Sequence, residues 1–134
     1  MIRILIDTNV FVAAAYSEGS ASAKIVNAVR QKKFQLVVSP AIMQEYEAVL
    51  SRAIRSDVAR ERVWQTIEAA ENVTPEQNPP VTEDRSDDKF LAAAVASEAS
   101  AIVTSDQHLL AVHPYEGIDI LKPSMFWSEF PEDL

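Results

Sequence analysis

Two kinds of hydrophobic pattern alternate along the chain. Short, mainly aliphatic runs predict strands that are buried on both faces of a sheet, and longer stretches whose apolar residues recur every three or four positions predict helices between them. The strands are expected over residues 2–6, 34–38, 101–104 and 118–121, with at most one further short strand over 72–74. Strands that alternate with helices are typical of an α/β fold, in which a central parallel sheet of four or five strands carries helices on both faces.

Polar residues at the ends of the apolar stretches indicate where the helices begin and end. Ser39 and Pro40 combine a capping residue with a proline at the first helical position, which is a favoured helix start. Helices are expected over residues 10–16, 21–31, 40–52, from about 62 to 72, from 86 onwards, 107–110 and 123–130. Residues 51–62 are the expected turn of a helix hairpin, and residues 71–85, which are rich in proline, form the one long loop.

Composition narrows the class of protein. A length of 134 residues fits one domain, 1–134, with a sizeable core. The chain contains no cysteine, no cleavable signal sequence and no apolar run near the roughly 20 residues of a transmembrane helix, so we expect a cytoplasmic protein without a membrane partner. The formal net charge of −8 is unusual for a general nucleic-acid binder.

Carboxylates follow two of the predicted strands. Asp7 comes directly after the first strand, and Asp106 follows the strand over 101–104. Right-handed crossovers bring the carboxyl ends of parallel strands to one edge of the sheet, and ligands of open α/β sheets bind beyond that edge. The alternative is that each aspartate only caps the helix that follows it, because aspartate is a favoured capping residue.

Three further carboxylates are candidates for the same edge. Glu45 has only apolar neighbours three and four positions away in its helix, which predicts that it faces inward: Ala41, Ile42, Ala48 and Val49. A carboxylate there is costly unless it is paired, and the alternatives are an ion pair or a place at the edge of the apolar stripe. Asp87 and Asp88 begin another helix and lie one turn before Leu91, although the helix dipole favours acids at that position in any case.

Acidic positions that converge on one edge favour a metal site over separate capping roles. Carboxylates at close range do not all stay ionised without a cation. Oxygen ligands without histidine or cysteine select Mg²⁺ or Mn²⁺, and Mg²⁺ held by a few carboxylates typically takes phosphate oxygens as further ligands. The predicted chemistry is therefore phosphoryl or phosphodiester transfer with a metal-activated water. His108 and His113 have no spaced partner and are expected to be ordinary surface residues.

Four motifs in this order resemble the PIN domain family, and within it the VapC-like toxins of bacterial toxin–antitoxin pairs. They are ILIDTNVFV, a helical glutamate about forty residues later, DDKFLAAAVA, and AIVTSD followed by a short helix. The resemblance implies metal-ligand and catalytic roles for Asp7, Glu45, Asp88 and Asp106, with Asp87 sharing or replacing the role of Asp88. It further implies that Asn9 and Thr104 are supporting polar residues near the metal.

The resemblance also implies an activity and a set of partners. The expected activity is that of a Mg²⁺- or Mn²⁺-dependent endoribonuclease on single-stranded RNA, acting as a toxin that a separate antitoxin protein inhibits. The alternatives are a nuclease acting on DNA, another Mg²⁺-dependent phosphohydrolase, and a catalytically silent acidic binding module. Asn9 lowers the case for an aspartyl-phosphate hydrolase, which usually has a second aspartate two residues after the nucleophile.

Two surface features bear on these partners. The helix hairpin carries four arginines that we expect to contact RNA phosphates, with an ordinary solvated surface as the alternative: Arg52, Arg55, Arg60 and Arg62. The C-terminal aromatic residues Phe126, Trp127 and Phe130 suggest a homodimer, with packing against their own sheet as the alternative.

Overall fold

Five parallel strands form one sheet in the computed structural model, which describes residues 1–77, 80–82 and 84–130. The strands are β1 (Arg3–Ile6), β2 (Gln35–Val38), β3 (Glu71–Asn72), β4 (Ala101–Val103) and β5 (Asp119–Leu121). Their order is β3-β2-β1-β4-β5, and every neighbouring pair is parallel. The predicted parallel sheet is confirmed. The last four residues of the predicted domain, 131–134, and residues 78, 79 and 83 of the predicted loop lie outside the described residues.

Seven α-helices connect and flank these strands in the described part of the chain. They are α1 (Thr8–Tyr16), α2 (Ala21–Arg30), α3 (Pro40–Ala53), α4 (Asp57–Glu68), α5 (Asp88–Ser97), α6 (Gln107–Leu110) and α7 (Pro123–Glu129). The hydroxyls of Ser20, Ser39 and Ser56 accept backbone N–H groups three residues on, and so begin α2, α3 and α4. The helix expected to reach residue 72 instead ends at Glu68, because the next residues pair with β2 as β3.

The strand order creates a switch point between β1 and β4. From β1 the chain steps through β2 to β3 on one side of the sheet, then crosses to β4 and β5 on the other side. Right-handed connections that step in opposite directions place their helices on opposite faces, with α1 to α4 on one face and α5 on the other. The crevice that opens beyond the carboxyl ends of two such strands is where open α/β sheets bind ligands.

The core lies on both faces of β1, β2 and β4. Ile4, Leu5 and Ile6 are fully buried, as the uninterrupted apolar run predicts. Phe11 of α1 meets Tyr46 of α3 edge-to-face, with ring centroids 5.3 Å apart, which joins the first and third helices over the sheet.

The C-terminal aromatic residues pack within the chain. Phe126 is fully buried, its ring centroid lies 5.2 Å from that of Phe34, and Phe130 stacks on it at 4.7 Å. Trp127 is partly buried against the same core. These residues therefore do not form the exposed aromatic patch that suggested a homodimer, because α7 uses them to cover its own sheet.

The hairpin between α3 and α4 is held by polar contacts to backbone carbonyls. Arg60 donates to the carbonyl of Ile54 at 2.7 Å and pairs with Asp57, and the Tyr16 hydroxyl donates to the carbonyl of Ala53 at 2.6 Å. Arg60 therefore stabilises the hairpin itself.

None of the helices in the described ranges has both the length and the apolar content that crossing a membrane requires.

Candidate metal centre

Asp7 lies at the switch point and does not cap the helix that it precedes. Its carboxylate makes no capping hydrogen bond to α1, and instead Oδ2 accepts the hydroxyl of Thr104 at 2.7 Å. The side chain is 6% exposed. Burial raises the pKa of Asp7, with the charges of Glu45 and Asp106 acting in the same direction, while the hydrogen bond from Thr104 opposes them.

Thr104 connects the ends of β1 and β4. It is fully buried, and its hydroxyl donates to Asp7 while accepting the backbone N–H of Asp106 at 3.0 Å. Both the donor and the acceptor function of the hydroxyl are therefore used. The supporting role near the metal that is expected of Thr104 stays a prediction. The same holds for Asn9, which is exposed on the first turn of α1.

Asp106 does cap its helix. Its Oδ1 accepts the N–H groups of His108 at 2.7 Å and Leu109 at 3.2 Å, which begins α6. The capping alternative considered for the two strand-end aspartates thus holds for Asp106 and fails for Asp7. The cap fixes the orientation of the Asp106 side chain at the start of α6. The charge of Asp106 contributes to the raised pKa of Asp7.

Glu45 lies at the edge of the buried stripe of α3. The buried residues of the helix are Ile42, Tyr46 and Leu50, so the stripe is rotated by one residue from the predicted one, and Ala41 and Ala48 are exposed. The expectation that Glu45 faces the core is therefore wrong, and it is half-buried instead.

Polar contacts hold both oxygens of Glu45. Thr8 donates its hydroxyl to Oε2, and the ammonium of Lys89 lies 2.7 Å from Oε1. The neighbouring Tyr46 hydroxyl donates to the carbonyl of Ile6 at 2.5 Å, which fixes α3 against the end of β1. The ion-pair alternative for Glu45 therefore describes the structure.

Asp87 has the most unusual environment in the site. It is 8% exposed, makes no capping hydrogen bond to α5, and its Oδ2 is buried without a hydrogen-bond partner among the described residues. Burial raises the pKa of Asp87 to about 7, and the carboxylates of Asp106, Asp84 and Asp7 contribute in that order. A single 3₁₀ turn over Arg85–Asp87 precedes α5 and carries Asp87 to this position.

The adjacent Asp88, unlike Asp87, accepts hydrogen bonds from the loop that precedes α5. Its carboxylate accepts the backbone N–H groups of Val81 at 3.2 Å and Thr82 at 2.8 Å, and the Thr82 hydroxyl at 2.9 Å. These bonds hold the loop before α5 against the helix. The charges of Asp106 and Asp7 act on the pKa of Asp87. Which of the two neighbouring aspartates is a metal ligand stays a prediction.

Two residues near the site were not among the sequence candidates. One donor atom each from Asp84, Asp87 and His108 lie within 4.8 Å of one another, a grouping that can hold a metal ion. The expectation that His108 is an ordinary surface residue is incomplete: it is exposed, but its Nδ1 also lies 3.8 Å from Oδ1 of Asp106. The spacing of Asp84 three residues before Asp87 was the available signal, because a 3₁₀ turn aligns residues three apart.

The arginines of the hairpin differ in their availability. Arg52, Arg55 and Arg62 are exposed, while Arg60 is engaged with Ile54. Arg52 follows Glu45 by seven residues, so the two lie on the same side of α3, about 10 Å apart along the helix axis. A contact between these arginines and RNA stays a prediction.

Comparison with known proteins gives the family. Residues 3–108, about four-fifths of the chain, match the PIN domain family. The chain belongs to the PIN domain family. The uncharacterized protein MJ1680 of Methanocaldococcus jannaschii is 31% identical over 117 residues, which cover 83% of this chain and 75% of that protein. PIN domains are generally nucleases.

Two solved structures share the fold of this PIN domain. One is VapBC2 from Rickettsia felis, crystallised with a DNA fragment from the VapBC2 promoter. It matches with a TM-score of 0.60 at 11% sequence identity, and the matched part covers 89% of this chain and 97% of that chain. PAE2754 from Pyrobaculum aerophilum gives 0.62 at 16% identity, with coverages of 98% and 90%. At these low sequence identities, the similarity shows a shared fold and nothing more.

Proposed function

We propose that this PIN domain is a Mg²⁺- or Mn²⁺-dependent endoribonuclease that cleaves single-stranded RNA. The observation that carries the proposal is the buried carboxylate of Asp87, which has one oxygen without a hydrogen-bond partner among the described residues. The charges of Asp106 and Asp7 raise its pKa. A buried carboxylate with neither a cap nor a cation is costly. A cation from outside the protein would remove that cost.

The donor set fits a hard divalent cation. We assign Asp7, Asp87 and Asp106 as its carboxylate ligands, since oxygen donors suit Mg²⁺ and Mn²⁺. Glu45 supplies a fourth carboxylate at the other side of Asp7, where Lys89 neutralises it. Asp88 holds the loop before α5 and so positions Asp87. When bound, such a cation supplies an activated water and stabilises charge on a phosphate.

The remaining residues of the centre orient these groups. Thr104 keeps one oxygen of Asp7 turned towards β4 and fixes the backbone at Asp106. Thr8 fixes Glu45 from the first turn of α1, and Asn9 lies on the same turn at the surface. Because these contacts join α1, α3 and β4, the carboxylates are held in place before any ligand binds, which is the preorganisation that catalysis of phosphodiester cleavage requires.

Single-stranded RNA is the proposed substrate because Arg52 is exposed on the side of α3 that carries Glu45, and Arg55 is exposed in the turn that follows α3. Arg52 and Arg55 offer phosphate contacts there, and a cation bound among the carboxylates would offset much of the local negative charge. The overall charge of −8 therefore does not exclude a nucleic-acid substrate.

We further propose that the chain is the toxin of a toxin–antitoxin pair and acts in the cytoplasm. The support is the fold that it shares with VapBC2 and the acidic charge of Asp7 and Asp106, which raises the pKa of Asp87. An antitoxin segment that places an arginine or lysine beside these two carboxylates would form charge-assisted hydrogen bonds and occupy the position of the cation.

The activity is tested with purified protein, Mn²⁺ and a fluorescent single-stranded RNA. Wild type should cleave the RNA, EDTA should stop the reaction, and Asp7→Asn should lower the rate at least about a hundredfold, as loss of a catalytic electrostatic group does. Glu68→Gln at the exposed end of α4 removes one charge elsewhere and should cleave normally. Cleavage of a matched single-stranded DNA but not of the RNA would overturn the substrate assignment.

The toxin role is tested in growing cells. Expression of the wild-type chain without a partner should slow growth, and Asp7→Asn should not. If both proteins accumulate equally and growth is unaffected by either, the toxin role fails even where the purified protein cleaves RNA.

A further inference from the structure

A second group of donor atoms adjoins the carboxylate centre on its solvent side. One donor atom each of Asp84, Asp87 and His108 lie within 4.8 Å of one another, with Asp84 and His108 exposed and Asp87 buried. Two ligands of one ion, each about 2.1 Å from it, are at most roughly 4.2 Å apart. Small side-chain rotations of the two exposed residues therefore bring all three donors onto one ion.

We propose that Asp84, Asp87 and His108 form a cation subsite that takes a transition-metal ion such as Mn²⁺ in preference to Mg²⁺. The subsite shares Asp87 with the proposed nuclease centre and rests on the proposed function for its part in catalysis, but ion binding there does not depend on that function. An imidazole nitrogen is a good ligand for transition metals, whereas Mg²⁺ strongly prefers oxygen.

Asp87 supplies the independent evidence that the group binds a ligand. Its side chain is more than nine-tenths buried, and Oδ2 has no hydrogen-bond partner in the part of the chain that the structure describes. The exposed members of the group alone would be an ordinary polar surface. A bound cation would satisfy this buried, unpartnered oxygen of Asp87.

The distribution of charge favours an additional cation at the group of Asp84, Asp87 and His108 over one at Glu45. At the opposite end both oxygens of Glu45 are held, one by Thr8 and the other by the ammonium of Lys89. The acidic charge of Asp84 and Asp87 lies beside an imidazole, a group that binds a metal in its neutral form. A cation bound at Glu45 would have to displace the ammonium of Lys89.

Backbone contacts would keep the subsite in place when its side chains are changed. Asp84 accepts the N–H of Ser86 at 3.0 Å and its hydroxyl at 2.6 Å through Oδ1, which asparagine can also do. His108 contributes its backbone N–H, not its ring, to the cap of α6. Asp84→Asn and His108→Gln are therefore variants that remove a metal ligand and keep the local fold.

The test is pulsed electron paramagnetic resonance of Mn²⁺ bound to the protein without a histidine tag. Electron spin echo modulation should show a directly bound nitrogen in wild type, and His108→Gln should lose it, while His113 remains as an internal control because its Nδ1 accepts the N–H of Ile120. Calorimetry should show that His108→Gln and Asp84→Asn each weaken one Mn²⁺ equivalent about tenfold or more, with Mg²⁺ affinity unchanged. Glu68→Gln at the exposed end of α4 removes the same charge as Asp84→Asn and should bind Mn²⁺ as wild type does.

Each outcome tests metal binding at the subsite independently of the proposed nuclease activity. Wild-type Mn²⁺ without nitrogen coupling, or coupling that survives in His108→Gln, overturns the subsite even if RNA is cleaved. Coupling that is lost in His108→Gln supports the subsite even if no RNA is cleaved, and in that case only the proposed function fails. A fall in Mg²⁺ affinity equal to that in Mn²⁺ affinity overturns the preference for a transition metal.

Discussion

The ammonium of Lys89 lies 2.7 Å from Oε1 of Glu45, so the candidate centre contains a cation of its own. The Lys89 side chain is only 15% exposed, and it also donates to the carbonyl of Ser86 in the turn before α5. One lysine thus joins α3 to the segment that carries Asp87. The pair stabilises the metal-free centre, because it places a positive charge beside Glu45, whose own charge acts on Asp7.

Replacing Lys89 should destabilise the metal-free protein more than a metal-loaded one. Lys89→Met keeps the aliphatic length but leaves Glu45 without its partner, and we expect a loss of about 1–2 kcal/mol in the free energy of unfolding, intermediate between exposed and buried pairs. Urea unfolding with EDTA and with Mn²⁺ measures this. Lys24→Met on the surface of α2 is the control and should be near neutral. An equal loss with and without Mn²⁺ would show that the pair is independent of the metal centre.

The hydroxyl of Thr104 should be needed for both stability and metal affinity. Thr104→Val keeps the shape of the side chain but leaves a buried oxygen of Asp7 and the N–H of Asp106 without their shared partner. We expect a loss of about 1–3 kcal/mol in the free energy of unfolding, and weaker Mn²⁺ binding because the pKa of Asp7 rises further without its hydrogen bond. Thr104→Ser keeps the hydroxyl and should restore Mn²⁺ affinity in calorimetry. If it binds as weakly as Thr104→Val, the methyl group and not the hydroxyl is responsible.

The raised pKa of Asp87 gives the metal-free protein a distinctive pH dependence. With a pKa of about 7 in the folded state and about 4 in the unfolded state, the native protein binds the extra proton between these values. The contribution of Asp87 therefore lowers stability as pH rises from about 4 to about 7, and it does not change further above that range. Urea unfolding in EDTA at pH 5 to 8 should show Asp87→Asn gaining stability over wild type as pH rises. A constant difference between the two proteins across this range would contradict the raised pKa.

The sequence predicted the sheet and the edge where the acidic residues meet because those depend on local patterns. The apolar runs that end in Asp7 and in Thr104 are strands in the structure, and they end side by side. The register of residues around helices was less predictable. One residue is about 100° of rotation in a helix, so a shift of one position moved Glu45 from the core to the edge of its stripe. Whether Asp87 or Asp88 is the main metal ligand stays a prediction.

Contacts between distant segments could not be predicted from the pattern. Thr8 and Lys89 both reach Glu45, although they are 37 and 44 positions from it, and neither has a periodic signal that points to α3. His108 had no spaced partner in the sequence because its neighbour Asp84 lies on another segment. Such pairs depend on how α1, α3 and α5 pack at the sheet edge, which only the three-dimensional fold determines.

The exposed arginines of the hairpin should contribute to RNA affinity, and Arg60 should not be used to measure this. Arg60 donates to the carbonyl of Ile54, so its loss would disturb the hairpin itself. In an Asp7→Asn background that binds RNA without cleaving it, the double change Arg52→Ala and Arg55→Ala should weaken binding and reduce the slope of log K against log salt by about 1.4, since each phosphate contact to a single strand contributes about 0.7.

The matched control for these arginines is a pair of lysines at the opposite edge of the sheet. Lys32 and Lys33 precede β2 and so lie at the edge opposite the carboxyl ends of the strands. Changing both to alanine removes the same total charge from the protein but no cation near Glu45. If fluorescence anisotropy gives the same loss of affinity and the same change in slope for both double variants, the arginines act only through net charge and RNA does not follow α3. If only the arginine variant changes, the RNA path runs along the side of α3 that carries Glu45.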